Sequence, residues 1–242
     1  MAGIPNIVVA ASLPALVAKA AEHVRAAAGA AIAARGRFRI ALAGGSTPRA
    51  LYPTLAQGID WGRANVFFGD ERAVPPGDPQ SNYRMARETL LDPAQVPPAN
   101  VVRWRGEDPD LDAAARDYEA ALTTGASAPW LDLALLGLGA DGHTASLFPG
   151  TSALAEEDRL AVAVDVAEMG TRRLTLTYPA LCGARDVCFL VTGREKASAL
   201  SAVVEAGHLP AARIVRRAGP VTIFCDEAAA SALRGAKRDD RA

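Results

Sequence analysis

Short apolar blocks alternate along the chain with longer stretches whose apolar residues recur every three to four positions. The first kind predicts buried strands; the second predicts helices with one face in a core. Residues 12–35 read as a long Ala-rich helix, with Pro14 near its start, where a missing N–H does no harm, and Gly36 at its end. Residues 38–43 predict a strand, 48–57 a helix and 64–68 a second strand. Ser81 is placed to cap a helix through Leu91, and 111–123 predict another. Residues 131–136 are apolar at every position but Asp132, as in a strand covered on both faces. Further strands are predicted at 160–166, 173–176, 186–191 and 220–225, with helices at 195–205 and 227–234. The charged tail from Lys237 is expected to fray.

Strands separated by helices predict an α/β fold: a Rossmann-like, mostly parallel sheet with helices on both faces. With 242 residues, no internal repeat and no long Gly/Ser linker, the chain is expected to form a single domain over 1–242. Half of the residues are hydrophobic, which excludes a disordered chain. Lys and Arg total 26 against 27 Asp and Glu, so no basic surplus exists to neutralise a nucleic-acid backbone. The three cysteines, Cys182, Cys188 and Cys225, form no Cys-x-x-Cys pair and suggest neither a disulfide framework nor a zinc site. The apolar stretch 4–18 has no cation before it and is interrupted by Pro5, Asn6 and Pro14, so it does not read as a secretory leader. No window reaches the roughly 18 uninterrupted apolar residues of a membrane span. A cytoplasmic protein is expected, without membrane or nucleic-acid partners.

In open parallel sheets, ligands bind beyond the carboxyl ends of the strands. The first such loop is Gly44-Gly45-Ser46-Thr47-Pro48-Arg49. Its glycines let the backbone approach a ligand, Pro48 suits a first helical position, and free N–H groups join the hydroxyls of Ser46 and Thr47. This predicts a phosphate cradle, although an ordinary turn capped by Ser46 would have the same sequence. The second loop, Gly69-Asp70-Glu71-Arg72, puts three charges directly after an apolar strand, where folding explains them poorly. A guanidinium there could pair with a phosphate or an oxyanion. The third loop, Gly137-Leu138-Gly139-Ala140-Asp141-Gly142-His143, ends in a His two residues after an Asp. Imidazole is the side chain best suited to move protons near neutral pH. Of the other two histidines, His23 reads as a surface residue on the first helix, and His208 has no acid close in sequence. No second His or Cys lies at ligand spacing, so no metal is expected.

Only three lysines occur: Lys19, Lys196 and Lys237. Lys196 stands at a helix start, where the dipole disfavours a cation, and so suggests an anionic partner. Arg172 and Arg173, opening a strand, could serve the same anion or act as sheet-edge gatekeepers. Which of Arg49, Arg72, Arg172 and Arg173 meets a phosphate stays open.

Five stretches in order resemble the 6-phosphogluconolactonase family, and more distantly the glucosamine-6-phosphate deaminase/isomerase superfamily. They are residues 42–48, 69–75 with Ser81-Asn82-Tyr83, the Gly-rich run 137–149, Arg173-Leu174-Thr175-Leu176-Thr177, and Thr192-Gly193 through Lys196. The resemblance spans most of the chain. It implies hydrolysis of 6-phospho-D-glucono-1,5-lactone to 6-phospho-D-gluconate, the second step of the oxidative pentose phosphate pathway. It also implies no metal or organic cofactor, a phosphorylated sugar lactone as partner, and a monomer or homodimer. By position, Ser46, Arg173 and Lys196 would hold the phosphate, with Gly44, Gly45, Thr47 and Asp70 in the same binding set. Arg72 would face the lactone end or assist with the phosphate. His143 would be the catalytic acid/base, supported by Asp141. The related deaminases end the His motif with an acid; here Phe148 stands in that stretch and cannot exchange a proton. Glucosamine-6-phosphate deamination, or sugar-phosphate binding without catalysis, are the competing expectations.

Overall fold

The computed structural model describes residues 4–125, 127–128 and 130–234, so the charged tail lies outside the described residues. The strands, in chain order, are β1 (Asn6–Ala10), β2 (Phe38–Leu42), β3 (Ala64–Phe68), β4 (Asp70–Arg72), β5 (Leu133–Leu136), β6 (Ala161–Val166), β7 (Thr171–Leu176), β8 (Val187–Val191) and β9 (Val221–Asp226). The helices are α1 (Leu13–Arg35), α2 (Ser46–Leu55), α3 (Asn82–Ala86), α4 (Leu111–Thr123), α5 (Tyr178–Cys182), α6 (Ala197–Ser201), α7 (Pro210–Arg217) and α8 (Glu227–Ala230). One six-stranded sheet has the order β1-β9-β8-β5-β2-β3, and each neighbouring pair is parallel. The expected α/β architecture is therefore present. Every residue of β5 and β8 is buried, so both faces of the sheet centre are covered, which is why those strands carry no alternation.

A second, antiparallel sheet of three strands, β4-β7-β6, departs from the expectation. The strands predicted at 160–166 and 173–176 form its hairpin rather than joining the parallel sheet. A left-handed Gly170, φ +60°, closes the turn between them. β4 forms where the sequence predicts a charged loop, and β1 where it shows only part of an apolar stretch. The apolar spacing predicts neither the short α5 nor the amphipathic α7. Helix ends shift as well. Helix α2 starts two residues early, placing Pro48 at its third position rather than its first. Beyond α3 the chain loosens into a π-turn at Arg87–Leu91, and α6 does so at Ala202–Ala206.

Local chemistry explains the best-predicted element. Ser12 Oγ accepts from the Ala15 N–H at the start of α1, and Gly36, φ +75°, donates to Ile32 at its end. Between them Leu16, Ala20, Ala21, Val24, Ala28 and Ala31 form one buried stripe. The connections then create a crevice. From β2 the chain moves outward to β3, whereas from β5 it moves the opposite way to β8. Loops leaving β2 and β5 diverge from neighbouring strands, and the space between them opens at their carboxyl ends.

Candidate active site

The loops after β2, β3, β5 and β8 enclose a cavity of about 480 Å³ at this crevice. One wall is the β2–α2 turn, Gly44 through Thr47. Gly45 occupies the cap position with φ +105°, and no side chain caps α2. Ser46 is thus the first helical residue and not the cap. The first-turn N–H groups stay available to an anion, and the helix dipole favours one there. Thr47 Oγ1 lies 2.7 Å from Thr192 Oγ1, tying this turn to the loop after β8. Gly193, φ +99°, turns that loop, and its N–H donates to Asp226. Lys196 follows and lines the cavity, with no carboxylate in ion-pair distance among the described residues.

His143 lines the cavity from the loop after β5. Its Nδ1 lies 2.6 Å from Asp141 Oδ1, and its backbone N–H donates to the same oxygen at 3.2 Å. Partial burial works against the Asp141 charge, but the hydrogen bonds from His143 and the nearby imidazole outweigh it, so the carboxyl sits below its usual range. The ring stacks on Phe148, with centroids 4.0 Å apart. Phe148, which cannot exchange a proton, packs its ring on the imidazole and helps to hold its plane. Gly139 is required here: a Cβ would lie 2.1 Å from His143 Nδ1 and 2.3 Å from Asp141 Oδ1. Together these contacts leave Nε2 as the unengaged ring nitrogen.

The Asp70-Glu71-Arg72 corner, whose charges the sequence leaves unexplained, is partly built into the fold. Glu71 is buried and accepts from the backbone N–H groups of Arg72, Asn82 and Tyr83 and from Ser81 Oγ. Burial pushes its carboxyl up while those donors oppose the shift. Folding therefore explains this residue fully: it fastens the start of α3 to β4. Asp70 lines the cavity but accepts from Ser146 Oγ at 2.6 Å and Asn82 Nδ2 at 3.1 Å. Arg72 lines the cavity too, donating to the Gln80 carbonyl while its buried Nε has no partner.

Arg173 faces Arg72 directly across the β4–β7 register and is buried, but it does not line the cavity. Burial, then the Arg72 charge, lower its pKa, with Asp70 and Glu71 opposing. Its guanidinium touches Thr171 Oγ1 at 3.3 Å. Arg172 points elsewhere, to Asp165 at 3.0 Å and Asp112 at 3.6 Å, and Arg49 is exposed off the cavity wall. His23 is not a free surface residue: it is half-buried and 2.7 Å from Asp186. Among the described residues, no group of three or more His, Cys, Asp or Glu side chains is arranged to hold a metal ion.

The family described as glucosamine-6-phosphate isomerases/6-phosphogluconolactonase matches residues 11–223. A 6-phosphogluconolactonase of Synechocystis is 43% identical over 213 residues, covering 84% of this chain and 88% of the relative. One of Mycobacterium tuberculosis is 40% identical over 230 residues, covering 89% and 93%. The chain belongs to the 6-phosphogluconolactonase family. The structure of a 6-phosphogluconolactonase from Trypanosoma cruzi superposes with a TM-score of 0.85 at 31% identity, covering 96% of this chain and 98% of that one. A monomeric glucosamine-6-phosphate deaminase, 22% identical with a TM-score of 0.80, shares the fold.

Within this 6-phosphogluconolactonase fold, several cavity residues carried no assigned chemistry in the sequence. Thr192 and Asp226 belong to the β8 side, where Asp226 caps α8 and anchors Gly193. Asn82 sits in the stretch Ser81-Asn82-Tyr83, which carries the family resemblance but suggests no reaction on its own. Only the convergence of β3, β4 and α3 brings it to the cavity.

Proposed function

We propose that this chain is a hydrolase that opens 6-phospho-D-glucono-1,5-lactone to 6-phospho-D-gluconate. The observation that carries the reading is one cavity lined by His143 of a His–Asp pair on the β5 loop, by an uncapped helix start and by Lys196. An anion at the Gly44–Thr47 turn and Lys196 would hold the far end of a phosphorylated sugar and place its carbonyl by His143. Arg173, opposite Arg72 and off the cavity wall, would add positive potential to the site without touching the anion.

Neutral His143 takes a proton from water at Nε2 as the water oxygen bonds to the lactone carbonyl carbon. The carbonyl electron pair moves to oxygen, forming a tetrahedral oxyanion. Arg72 or loop N–H groups stabilise it, each such donor being worth about 2.7–4 kcal/mol. Collapse restores the carbonyl and breaks the bond to the ring oxygen, which receives the proton from the imidazolium. Asp141, through Nδ1–H, keeps the tautomer with Nε2 as base and stabilises the imidazolium. The route requires no metal. Timed disappearance of the lactone with purified protein tests the reading. A rate clearly above spontaneous hydrolysis is expected, and a rate equal to it would end the proposal.

A further inference from the structure

Asn82 is 97% hidden from solvent yet lines the cavity, and the mechanism leaves it without a task. Its amide is held rigidly. The backbone N–H donates to Glu71 Oε1 at 2.8 Å, and Nδ2 donates to the Asp70 carbonyl at 3.0 Å and to Asp70 Oδ1 at 3.1 Å. Both partners of Nδ2 are acceptors, so the amide cannot be flipped without setting oxygen against oxygen. The orientation of Oδ1 follows. That oxygen lies over Gly44, where an added Cβ would be 2.1 Å away, and no donor among the described residues reaches it.

A neutral acceptor so placed repels phosphate and suits a hydroxyl. Its neighbours give the end of the substrate. Asp70, which holds Nδ2, also binds Ser146 Oγ at 2.6 Å, three residues from His143. Gly44 only opens the β2–α2 turn; the helix start that follows it, whose free N–H groups suit an anion, is tied instead to the β8 side through Thr47 and Thr192. Resting on the lactonase reading, we propose that Asn82 Oδ1 accepts a hydrogen bond from the C2 or C3 hydroxyl of the phosphorylated lactone. Asn82 is then a specificity residue for hydroxylated sugar lactones, and Gly44 is small so that this oxygen can reach the cavity.

The test is kcat/KM of the full-length enzyme for 6-phosphogluconolactone and its 2-deoxy and 3-deoxy analogues. Wild type should disfavour one deoxy lactone by about tenfold, the value of one hydrogen bond of about 1.4 kcal/mol. Asn82→Ala should hydrolyse that analogue and the parent equally within about twofold. Asn82→Asp, which sets a second oxygen against the Asp70 carbonyl and carboxylate, should lose the orientation and the preference with it, and Gly44→Ala should weaken the preference by displacing the amide. If Asn82→Ala slows all three lactones alike and keeps the preference, the residue is merely structural and the proposal fails. It fails equally if wild type treats the three lactones alike, whatever the variants do. Wild type inactive on the parent lactone itself would instead remove the underlying functional reading.

Discussion

Two His–Asp pairs in this molecule have nearly the same geometry. His143 Nδ1 is 2.6 Å from Asp141, and His23 Nε2 is 2.7 Å from Asp186. Each imidazole also meets a phenylalanine, Phe148 stacked at 4.0 Å and Phe224 edge-on at 5.5 Å. Their surroundings differ. Asp186 directly precedes β8, so the His23 pair lies at the amino end of the sheet, braced against helix α1. The His143 pair lies at the carboxyl end, on a turn that Gly139 keeps narrow, and it borders a cavity shared with Lys196 and Arg72. A short His–Asp contact is therefore no catalytic signal in itself. What distinguishes the candidate is a spare ring nitrogen beside space for a substrate and charges suited to an anion.

The largest effect should separate the pairs outright. His143→Ala is expected to lower kcat by about 10²–10⁴-fold, the usual range for a general acid/base, while His23→Ala leaves kcat unchanged. Equal losses in both would mean the imidazole acts through folding and not through chemistry. Next comes the anion side of the same cavity. Lys196→Ala removes a charge-assisted contact of roughly 1.5–2 kcal/mol, so KM should rise about 10- to 30-fold with a smaller change in kcat. Unchanged KM would move the anion elsewhere and leave His143 no better placed than His23.

The sequence distinguishes these pairs only in part. The apolar blocks reveal β2, β3, β5, β8 and β9, because strands covered on both faces read as near-continuous apolar runs. The Asp141-Gly142-His143 spacing makes one pair visible, since its members are two residues apart. The other pair joins residues 163 apart, and only the packing of α1 against the sheet brings them together. Glu71 is misleading for the same reason. Three of its four donors come from residues 81–83, so its charge looks idle until α3 is docked. Arg173 reads as an anion ligand, and the antiparallel register sets it directly opposite Arg72, on the same face of the sheet, where it is buried and does not itself line the cavity. The pairing of β4 with β7 joins segments far apart in the chain, and no local periodicity or spacing signals it.

A smaller effect concerns what the amino-end pair does contribute. Asp186 Oδ1 is buried without a partner, and Oδ2 has His23. His23→Ala leaves the carboxylate worse satisfied, at a cost of about 1–3 kcal/mol. Thermal unfolding should fall by several degrees, at about 2–4 °C per kcal/mol for a chain of this size, with turnover at assay temperature intact. An unchanged melting temperature would make the contact incidental.

The smallest effect is the stability carried by the candidate pair, and acid exposes it. Asp141 has its carboxyl below the ordinary value, so the folded chain holds its proton less tightly than the unfolded one, whose Asp titrates near about 3.9. Such a group adds stability above that pH and loses it as pH falls through the folded value. Nearly half of the Asp141 side chain is open to solvent, which limits the contribution to a few tenths of a kcal/mol, roughly the scale of exposed ion pairs. Melting of wild type against Asp141→Asn should then show a small gap that is constant above about pH 5 and closes on further acidification. A gap that widens in acid would mean the carboxylate is a burden on the fold, held there against its own preference. The catalytic end would then carry strain that the His23 end does not.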